Sequence, residues 1–435
     1  MKYLWSIVYN FIFLPLFWVA ARVLSIFNNK LKMSFKARKE LFKHLRSKIQ
    51  TLDPGKKNIL IHCASLGEFE QAKPIIDELD KQGKYNFIVS FFSPSGFNHS
   101  KIDSPLRSKI IKTYLPYDTP PMAKKFLDVT APAAAIFIKY DLWMNLLSEM
   151  KNRGIYTMVV NSAFDIRRFK WRFPVSLSYK KAIYSFIDVI GVTDEEDKER
   201  FLPLAEESTD VIVFGDTKYE RISKAKEISS DKALINGNVL TDKNVFVVGS
   251  SWDKDDDVIF PVIDKISSNG LSEELSLVTI LAPHEPTEDN LEHIEYDIHE
   301  KFPHIRSIRY SELNKYKDEN LIIIDCIGIL MGLYKYAQVA YVGGGYKSGM
   351  HNVLEPAGYG IPVLFGNEKL SEDAEHLIKN GGGIAVEDSK DLFKNLVNLF
   401  RKDEVRTRVG NMSLSVFDSK NEASKKIAEL VNKRI

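Results

Sequence analysis

Two short segments hold side chains whose types and spacing suit chemistry on a sugar phosphate. The first, residues 341–356, contains a strand end, a turn rich in glycine (Gly343, Gly344, Gly345 and Gly349) and a helix start. Glycine lets a backbone approach a phosphate, and a helix start directs N–H groups and a positive dipole end toward it. Glu355 follows at a spacing that could reach ribose hydroxyls. The segment therefore predicts a nucleotide-sugar site.

The same segment has a plainer interpretation. Asn352 as the N-cap, with Glu355 three residues later, resembles a capping box, which needs no ligand. A cap requires only one turn residue with positive φ, whereas this loop contains several glycines. We therefore favour a ligand site and keep the cap as the alternative.

The second segment joins a buried strand, residues 58–64, to a helix through the turn Ser65-Leu66-Gly67. Glu68 follows the turn directly. A carboxylate beyond the carboxyl end of a parallel strand lies in the crevice where open α/β sheets bind ligands. The alternative is an ordinary first-turn glutamate that interacts favourably with the helix dipole.

The elements that must position these segments alternate between strand and helix. Short, wholly apolar runs predict strands that helices cover on both faces. These runs are residues 58–64, 87–91, 134–138, 157–160, 245–249, 277–281, 321–324, 339–342 and 362–365. A chain of 435 residues is too long for one ordinary domain. We therefore predict two Rossmann-like parallel-sheet α/β domains, meeting between Gly215 and Gly237, whose strand ends face a common cleft.

The first fifty residues differ in composition from the rest, with ten Lys or Arg against a single acid. They include an apolar segment from Leu4 to Phe27, interrupted by Asn10, Pro15 and Arg22. The segment could span a bilayer of about 30 Å, and its aromatic side chains also suit an interfacial position. A cleavable signal peptide is disfavoured because a dense basic run follows, which resists export and marks the cytoplasmic side. We predict a membrane anchor over residues 1–30.

Composition argues against several other classes. The basic run adjoins a hydrophobic segment instead of a recognition motif, so nucleic acid is not an expected partner. The two cysteines, Cys63 and Cys326, lack metal-ligand spacing. Residues 255–257 are three aspartates that we interpret as a charged helix start. We predict no metal site and no bound cofactor.

Five segments together resemble the Kdo transferases, which attach 3-deoxy-D-manno-oct-2-ulosonic acid (Kdo) to the lipid A precursor of lipopolysaccharide. They are residues 62–70 (strand, turn and helix), 139–143 (acidic-Trp motif), 215–219 (interdomain motif), 249–252 (second-domain turn) and 343–356 (donor loop). Each motif is weak alone, but all five occur in family order, and the N-terminal anchor matches as well.

The resemblance implies a GT-B glycosyltransferase that takes Kdo from CMP-Kdo and inverts the anomeric centre without a metal. It implies an acceptor-binding domain over residues 31–215 and a donor-binding domain over residues 216–435. Glu68 would be the catalytic base. The donor-binding residues would be Lys218, Ser250, Ser251, Gly343, Gly344, Gly345, His351, Asn352 and Glu355.

The implied acceptor is the lipid A precursor lipid IVA at the cytoplasmic face of the inner membrane, where membrane lipids would also bind the chain. The acceptor-binding residues would be Ser65, Gly67, Asp141, Arg167 and Arg168. Guanidinium groups suit phosphate, and the aromatic residues interleaved with the arginines suit a lipid interface. A solvated basic face is the alternative for the arginines.

The chain departs from the commoner family pattern at several positions. It has Lys139 where a first acid is common, Met144 in place of proline, Gly345 in place of serine, and His284-Glu285 in place of a basic pair. These departures leave the acceptor details and the number of Kdo units open.

Two other functions stay open: a GT-B enzyme using a UDP-sugar on another lipid or cell-wall precursor, and a catalytically silent membrane-bound binding protein of the same fold.

Overall fold

The structure is a computed structural model that describes residues 2–101, 108–163, 174–230, 233–268, 271–346, 349–418 and 422–435. The chain divides into two compact units. Residues 1–221 and 419–435 form the first unit, and residues 222–418 form the second.

The first unit contains, among its described residues, a seven-stranded parallel sheet with the order β3-β2-β1-β4-β5-β6-β7. The strands are β1 (Lys57–Cys63), β2 (Tyr85–Phe91), β3 (Ile110–Tyr114), β4 (Pro132–Ile138), β5 (Tyr156–Ser162), β6 (Val189–Val192) and β7 (Asp210–Val213). From β1 the chain proceeds outward through β2 and β3, then returns to place β4 on the other side of β1. The strand order therefore reverses between β1 and β4.

Helices of the first unit cover both faces of this sheet, which explains why its central strands are almost wholly apolar. They are α1 (Lys2–Val8), α2 (Leu14–Phe27), α3 (Asn29–Lys39), α4 (Leu41–Ile49), α5 (Leu66–Asp80), α6 (Pro94–His99), α7 (Pro120–Thr130), α8 (Met144–Asn152), α9 (Pro174–Tyr184) and α10 (Glu195–Phe201). Helix α11 (Thr217–Ser230) begins in the first unit and continues into the second.

The second unit repeats the architecture with a described seven-stranded parallel sheet of order β10-β11-β9-β8-β12-β13-β14. Its strands are β8 (Asn244–Ser251), β9 (Leu277–Pro283), β10 (Ser307–Arg309), β11 (Leu321–Ile323), β12 (Val339–Val342), β13 (Val363–Gly366) and β14 (Gly383–Val386). Its helices are α12 (Gly237–Leu240), α13 (Asp253–Ser268), α14 (Leu271–Leu275), α15 (Glu288–Lys301), α16 (Leu330–Leu333), α17 (Leu354–Ala357), α18 (Glu372–Asn380), α19 (Ser389–Arg401) and α20 (Asp403–Ser415). The strand order reverses between β8 and β12.

The C-terminal helix, α21 (Ala423–Arg434), belongs to the first unit, although the sequence analysis placed residues 216–435 in the second domain. Its buried side chains Ala423, Ile427 and Val431 recur at helical spacing and enter the same hydrophobic core as α5. Tyr85 Oη also donates a hydrogen bond of 2.7 Å to Asn432 Oδ1. Burial of this apolar stripe returns the chain to the first unit.

The N-terminal segment Lys2–Phe27 is helical throughout, and by length and composition it is the one described helix that could cross a membrane. A π-helical turn, Tyr9–Phe13, separates α1 from α2. Pro15 follows that turn and lacks the N–H group that a regular helix needs there, which favours a local change of hydrogen bonding.

Candidate functional site

The first candidate group lies in the first unit, where β1 and β4 end side by side. Ser65 and Glu68 follow β1, whereas Lys139 and Asp141 follow β4. This is the point where the strand order reverses, and open α/β sheets bind ligands at such points, beyond the carboxyl ends of their strands. We call His62, Glu68, Lys139 and Asp141 the carboxylate cluster.

His62 connects the two strands of the carboxylate cluster. Its ring is fully buried in β1, with Nδ1 2.9 Å from Ser90 Oγ and Nε2 2.8 Å from Asp141 Oδ2. The sequence analysis named Asp141 as an acceptor-binding residue but gave His62 no role. A histidine in an otherwise apolar strand was the available signal, because a buried polar group requires a partner.

Glu68 lies in the first turn of α5 and is partly buried. Its Oε2 accepts a 2.5 Å hydrogen bond from the N–H of Ala64, and its own N–H donates to Ser65 Oγ at 3.4 Å. These two bonds resemble a capping box, so the predicted base also stabilises the turn that holds it. Gly67, between them, is exposed.

Burial raises the pKa of the Glu68 carboxyl above its ordinary value. The Ala64 N–H, His62 and Lys139 oppose this shift, whereas the negative charge of Asp141 adds to it. A carboxylate with a raised pKa is a stronger base than an ordinary glutamate. The carboxylate cluster can therefore remove a proton from a hydroxyl group.

The second candidate group lies in the second unit around the turn Gly343–Tyr346, which we call the glycine turn. Its glycines are required by close backbone packing. A Cβ atom on Gly343 would lie 2.3 Å from the carbonyl oxygen of Ser250, and one on Gly345 would lie 2.4 Å from that of Gly366. Gly344 has a φ of 91°. The glycine turn thus fits tightly against the ends of β8 and β13.

Two backbone N–H groups of the glycine turn donate hydrogen bonds inside the unit. The N–H of Gly343 donates to the carbonyl of Gly249 at 2.9 Å, and the N–H of Gly344 donates to Asp255 Oδ2 at 2.8 Å. The helix that follows, α17, has four residues and begins at Leu354, so its dipole contributes little. The N–H groups of Gly343 and Gly344 are thus already bonded within the unit.

Asp255 is a residue whose role the sequence analysis missed. It is buried, and besides Gly344 it accepts hydrogen bonds from Tyr341 Oη at 2.8 Å and from the N–H of Trp252 at 3.1 Å. The three bonds attach the glycine turn to the start of α13. The aspartates 255–257 were interpreted as a charged helix start; α13 begins at Asp253, and within it Asp255 and Asp256 are buried.

Three aromatic rings stack beside the glycine turn at the ends of β8, β9 and β12. The centroid of the His284 ring lies 4.4 Å from that of Trp252 and 4.3 Å from that of His351. Trp252 Nε1–H donates a 3.0 Å hydrogen bond to His351 Nε2, which places the proton of a neutral His351 ring on Nδ1. Burial, together with His284, lowers the pKa of His351. His351 can therefore act as a neutral Nδ1–H donor.

The other predicted donor residues are distributed as follows. Ser250 has a φ of 56° and is partly exposed, whereas Ser251 is buried. Asn352 Nδ2 donates to Glu355 Oε1 at 3.0 Å, which is a bond between side chains and not the reciprocal pair of a capping box. Lys218 belongs to the first unit, where its Nζ lies 3.3 Å from Asp216 Oδ2.

Two further predictions concern groups outside these clusters. Arg167 and Arg168 lie outside the described residues. Among the described residues, no group of three or more His, Cys, Asp and Glu side chains is placed to hold a metal ion.

The two parallel sheets, each with a polar cluster where its strand order reverses, define a GT-B fold. A solved structure with this fold is UDP-GlcNAc 2-epimerase from Neisseria meningitidis bound to UDP-GlcNAc. It aligns with a TM-score of 0.57 over 86% of this chain and 100% of that chain, at 14% identity. At that identity the likeness concerns the fold alone.

Sequence comparison shows which proteins the chain is similar to. Residues 34–221 match the family of the 3-deoxy-D-manno-octulosonic-acid transferases (kdotransferases). The 3-deoxy-D-manno-octulosonic acid transferase of Haemophilus influenzae is 25% identical over 390 residues, which cover 87% of each chain. A bifunctional glycosyltransferase/methyltransferase of Fusobacterium nucleatum is 26% identical over 346 residues, and the match spans 77% of this chain but about half (51%) of that relative. Residues 34–221 thus form a Kdo transferase family domain, and most of the chain is similar to Kdo transferases.

Proposed function

We propose that this chain transfers Kdo from CMP-Kdo to the lipid A precursor lipid IVA, with Glu68 as the general base. The observation that carries the proposal is the place of Glu68 at the reversal point of the first sheet, beside the linked pair His62 and Asp141. The family match over residues 34–221 covers this same cluster.

Glu68 acts on the acceptor. Its carboxylate removes the proton of the acceptor hydroxyl while the hydroxyl oxygen bonds to the anomeric carbon of Kdo. The bond from that carbon to the phosphate oxygen breaks, and CMP leaves with the electron pair. One displacement of this kind inverts the anomeric centre. Ser65, Gly67 and Asp141 line the same strand ends and are proposed to contact the acceptor sugar.

The second unit is proposed to bind CMP. His351 Nδ1–H and the Ser250 hydroxyl are its candidate donors to the leaving phosphate, and Lys218 of the first unit is the candidate cation. Glu355 is the candidate acceptor for ribose hydroxyls. These side chains take over the neutralising role that a divalent metal has in other transferases, so we propose a metal-independent reaction.

The acceptor is a phosphorylated lipid, which requires a membrane-associated enzyme. The apolar helix Lys2–Phe27 is compatible with membrane association. We propose that the chain works at the cytoplasmic face of the inner membrane, because the exposed lysines that follow this helix favour that side.

The test is product analysis with the full chain in detergent. Incubation with CMP-Kdo and lipid IVA should give a lipid whose mass has increased by one or more Kdo residues, and CMP should inhibit the reaction. Transfer from UDP-N-acetylglucosamine, with inhibition by UDP instead, would favour the UDP-sugar alternative. Tight CMP binding without any transfer would favour a silent binding protein.

A further inference from the structure

The N-terminal helix is attached to the first unit along one face. Trp5 Nε1–H donates to Ser178 Oγ at 2.9 Å, and Tyr9 Oη donates to the buried carboxylate of Asp118 at 2.9 Å. The side-chain amide of Asn10 exchanges two hydrogen bonds, of 3.0 and 2.9 Å, with that of Asn145 at the start of α8.

The second half of the helix is attached as well. Phe17 packs against Trp143 with ring centroids 6.4 Å apart, and Trp18 packs against Tyr117 at 5.5 Å. The guanidinium of Arg22 lies 4.6 Å from the centre of the Trp18 ring and 4.4 Å from that of Phe35. Contacts with the first unit therefore extend along the helix from Trp5 to Arg22.

The π-helical turn keeps these contacts on one face. Tyr9 and Leu14 are both buried in the core of the first unit, although they are five residues apart. In a regular helix that spacing would rotate Leu14 away from Tyr9, whereas one π turn of five residues brings it back. The N–H of Leu14 donates to the carbonyl of Tyr9, which closes that turn.

These contacts conflict with a helix that spans a bilayer. Trp5 and Arg22 are about 25 Å apart along a helix axis, which is most of the hydrocarbon thickness of about 30 Å. A spanning helix would be surrounded by lipid over that distance. Here its two halves bind polar and aromatic groups of the same unit, including the buried Asp118, whose pKa burial raises to about 6.

The opposite face of the helix is apolar and exposed. Its large hydrophobic side chains are between 49% and 84% exposed. They are Tyr3, Leu4, Ile7, Phe11, Ile12, Phe13, Leu16, Val19, Val23, Leu24, Ile26 and Phe27. An exposed apolar face of this extent on a soluble unit marks an interaction surface.

The next two helices supply the matching charge. Exposed basic side chains on α3 and α4 are Lys32, Lys36, Lys39, Lys43 and Arg46. An exposed apolar face followed along the chain by exposed lysines is complementary to a bilayer with anionic headgroups, because lipid tails accept the apolar side chains and the headgroups attract the positive charges.

We propose that the N-terminal helix lies in the plane of an anionic bilayer, docked on the first unit by Tyr9 and Asn10, and inserts its exposed face into one leaflet. This arrangement specifies the membrane association assumed in the proposed function and does not depend on the transfer reaction. The first unit would then sit on the membrane surface through residues 2–46.

Cross-linking in the bound state tests the docking. The variant Asn10→Cys/Asn145→Cys, made in a Cys326→Ser background, is bound to vesicles of phosphatidylethanolamine and phosphatidylglycerol and treated with a short bifunctional thiol reagent. Cys63 is buried and Cys326 exposed, so only the latter needs replacement. We expect cross-linking of this pair and none of the control Phe11→Cys/Asn145→Cys, whose residue 11 is on the exposed face. Absence of the cross-link in folded, vesicle-bound protein would overturn the proposal.

Depth measurements test the same geometry without altering the docked face. Single cysteines at Ile7, Leu16 and Val23, labelled with a fluorophore, are quenched by lipids with spin labels at known depths. An in-plane helix gives all three labels the same shallow depth. A spanning helix separates Ile7 from Val23 by about 24 Å and puts Leu16 near the bilayer centre, which would contradict the proposal.

Charge reversal and self-association complete the test. Replacing Lys36, Lys39 and Lys43 by Glu should weaken binding to the anionic vesicles by at least about fivefold per lysine and leave binding to neutral vesicles unchanged.

Cross-linking between copies at Phe11→Cys, with no quenching by lipid, would show that a second chain covers the face and would overturn the proposal. Transfer in detergent is measured separately, so either proposal can fail alone.

Discussion

His62 Nε2 lies 2.8 Å from Asp141 Oδ2, and this contact joins the ends of β1 and β4 where the first sheet reverses its strand order. The ring of His62 is fixed on its other side by Ser90 Oγ at 2.9 Å. Asp141 is therefore held in a defined position beside the turn that carries Glu68. The pKa of Glu68 depends on both residues, so the pair sets the charge around the proposed base.

Replacing Glu68 by Gln should abolish most transfer. Glutamine keeps the size of the side chain and an oxygen that can accept the Ala64 N–H bond, but it cannot take a proton. Loss of a general base typically reduces the rate by about 10²- to 10⁴-fold, so we expect at least about a hundredfold lower kcat with CMP affinity nearly unchanged.

The matched control for this substitution is Glu70→Gln on the same helix. Glu70 pairs with Lys73 at 2.8 Å and is outside the carboxylate cluster. It should retain nearly full activity. If Glu68→Gln retains nearly full activity as well, the carboxylate serves only to stabilise the turn.

The rate of transfer should fall as the pH is lowered. The pH at which it falls should be higher than for an enzyme whose base is an ordinary glutamate. The base works in its ionised form, and burial raises the pKa of Glu68, so activity is lost as the pH drops through that raised value. Lys139 opposes the shift. Lys139→Met should therefore move the acidic limb of the kcat profile further up in pH; a move downward would contradict the electrostatic role given to Lys139.

Most strands of both sheets were predictable from sequence, and the missed ones were β3, β6, β7, β10 and β14. Runs such as 58–64 and 134–138 are largely apolar because helices cover both faces, and both strands are confirmed. Strand β3 was missed because Lys112 interrupts its pattern at the edge of the sheet. Strands β10 and β14 are the two edges of the second sheet and are only partly buried, so their sequences lack a long apolar run.

The chemistry of the site was less predictable, because it depends on contacts between distant segments. His284 and His351 stack at 4.3 Å, but nothing in their local sequences indicates the pairing. Asp255 follows Trp252 by three residues, which is the spacing of an acid that bonds back to a helix start. Its second function, holding Gly344, follows only from the adjacency of β8 and β12.

Replacing Glu355 by Ala should weaken donor binding. Glu355 is partly buried, and loss of its proposed hydrogen bonds to the ribose is worth about 1.5–3 kcal/mol, or about ten- to a hundredfold in CMP affinity measured by calorimetry. Asn352→Ala is the matched variant, because it removes the 3.0 Å bond to Glu355 and leaves the carboxylate. Unchanged CMP affinity with a large fall in melting temperature would show that Glu355 has a structural role only.

Asp256 should make the stability of the second unit depend on pH. Burial, reinforced by the neighbouring aspartates, raises its pKa to about 8. The protonated form is therefore favoured in the folded state, and stability is lost as the pH rises from the ordinary aspartate range toward 8, by about 1.4 kcal/mol per pH unit at most.

Asp256→Asn removes this dependence. We compare the denaturation midpoints of Asp256→Asn and the unaltered protein at pH 5 and pH 8. The midpoint of the variant should be higher, and this difference should be larger at pH 8 than at pH 5. The control is Asp257→Asn, because Asp257 is exposed. The difference in denaturation midpoint between this variant and the unaltered protein should not vary with pH. If the midpoints of Asp256→Asn and the unaltered protein differ by the same amount at both pH values, the Asp256 carboxyl is ionised in the folded protein.

Transfer should persist in excess EDTA at close to its full rate. The leaving group of CMP-Kdo has a single phosphate, and we propose that the Lys218 ammonium, the Ser250 hydroxyl and the Nδ1–H of His351 bind it. Hydrogen-bond donors and cations fixed in advance can stabilise the charge that develops on a leaving phosphate. His351→Ala should then lower kcat without creating a response to Mg²⁺. Loss of activity in EDTA, restored by Mg²⁺ or Mn²⁺, would contradict both the metal-independent reaction and the role proposed for these side chains.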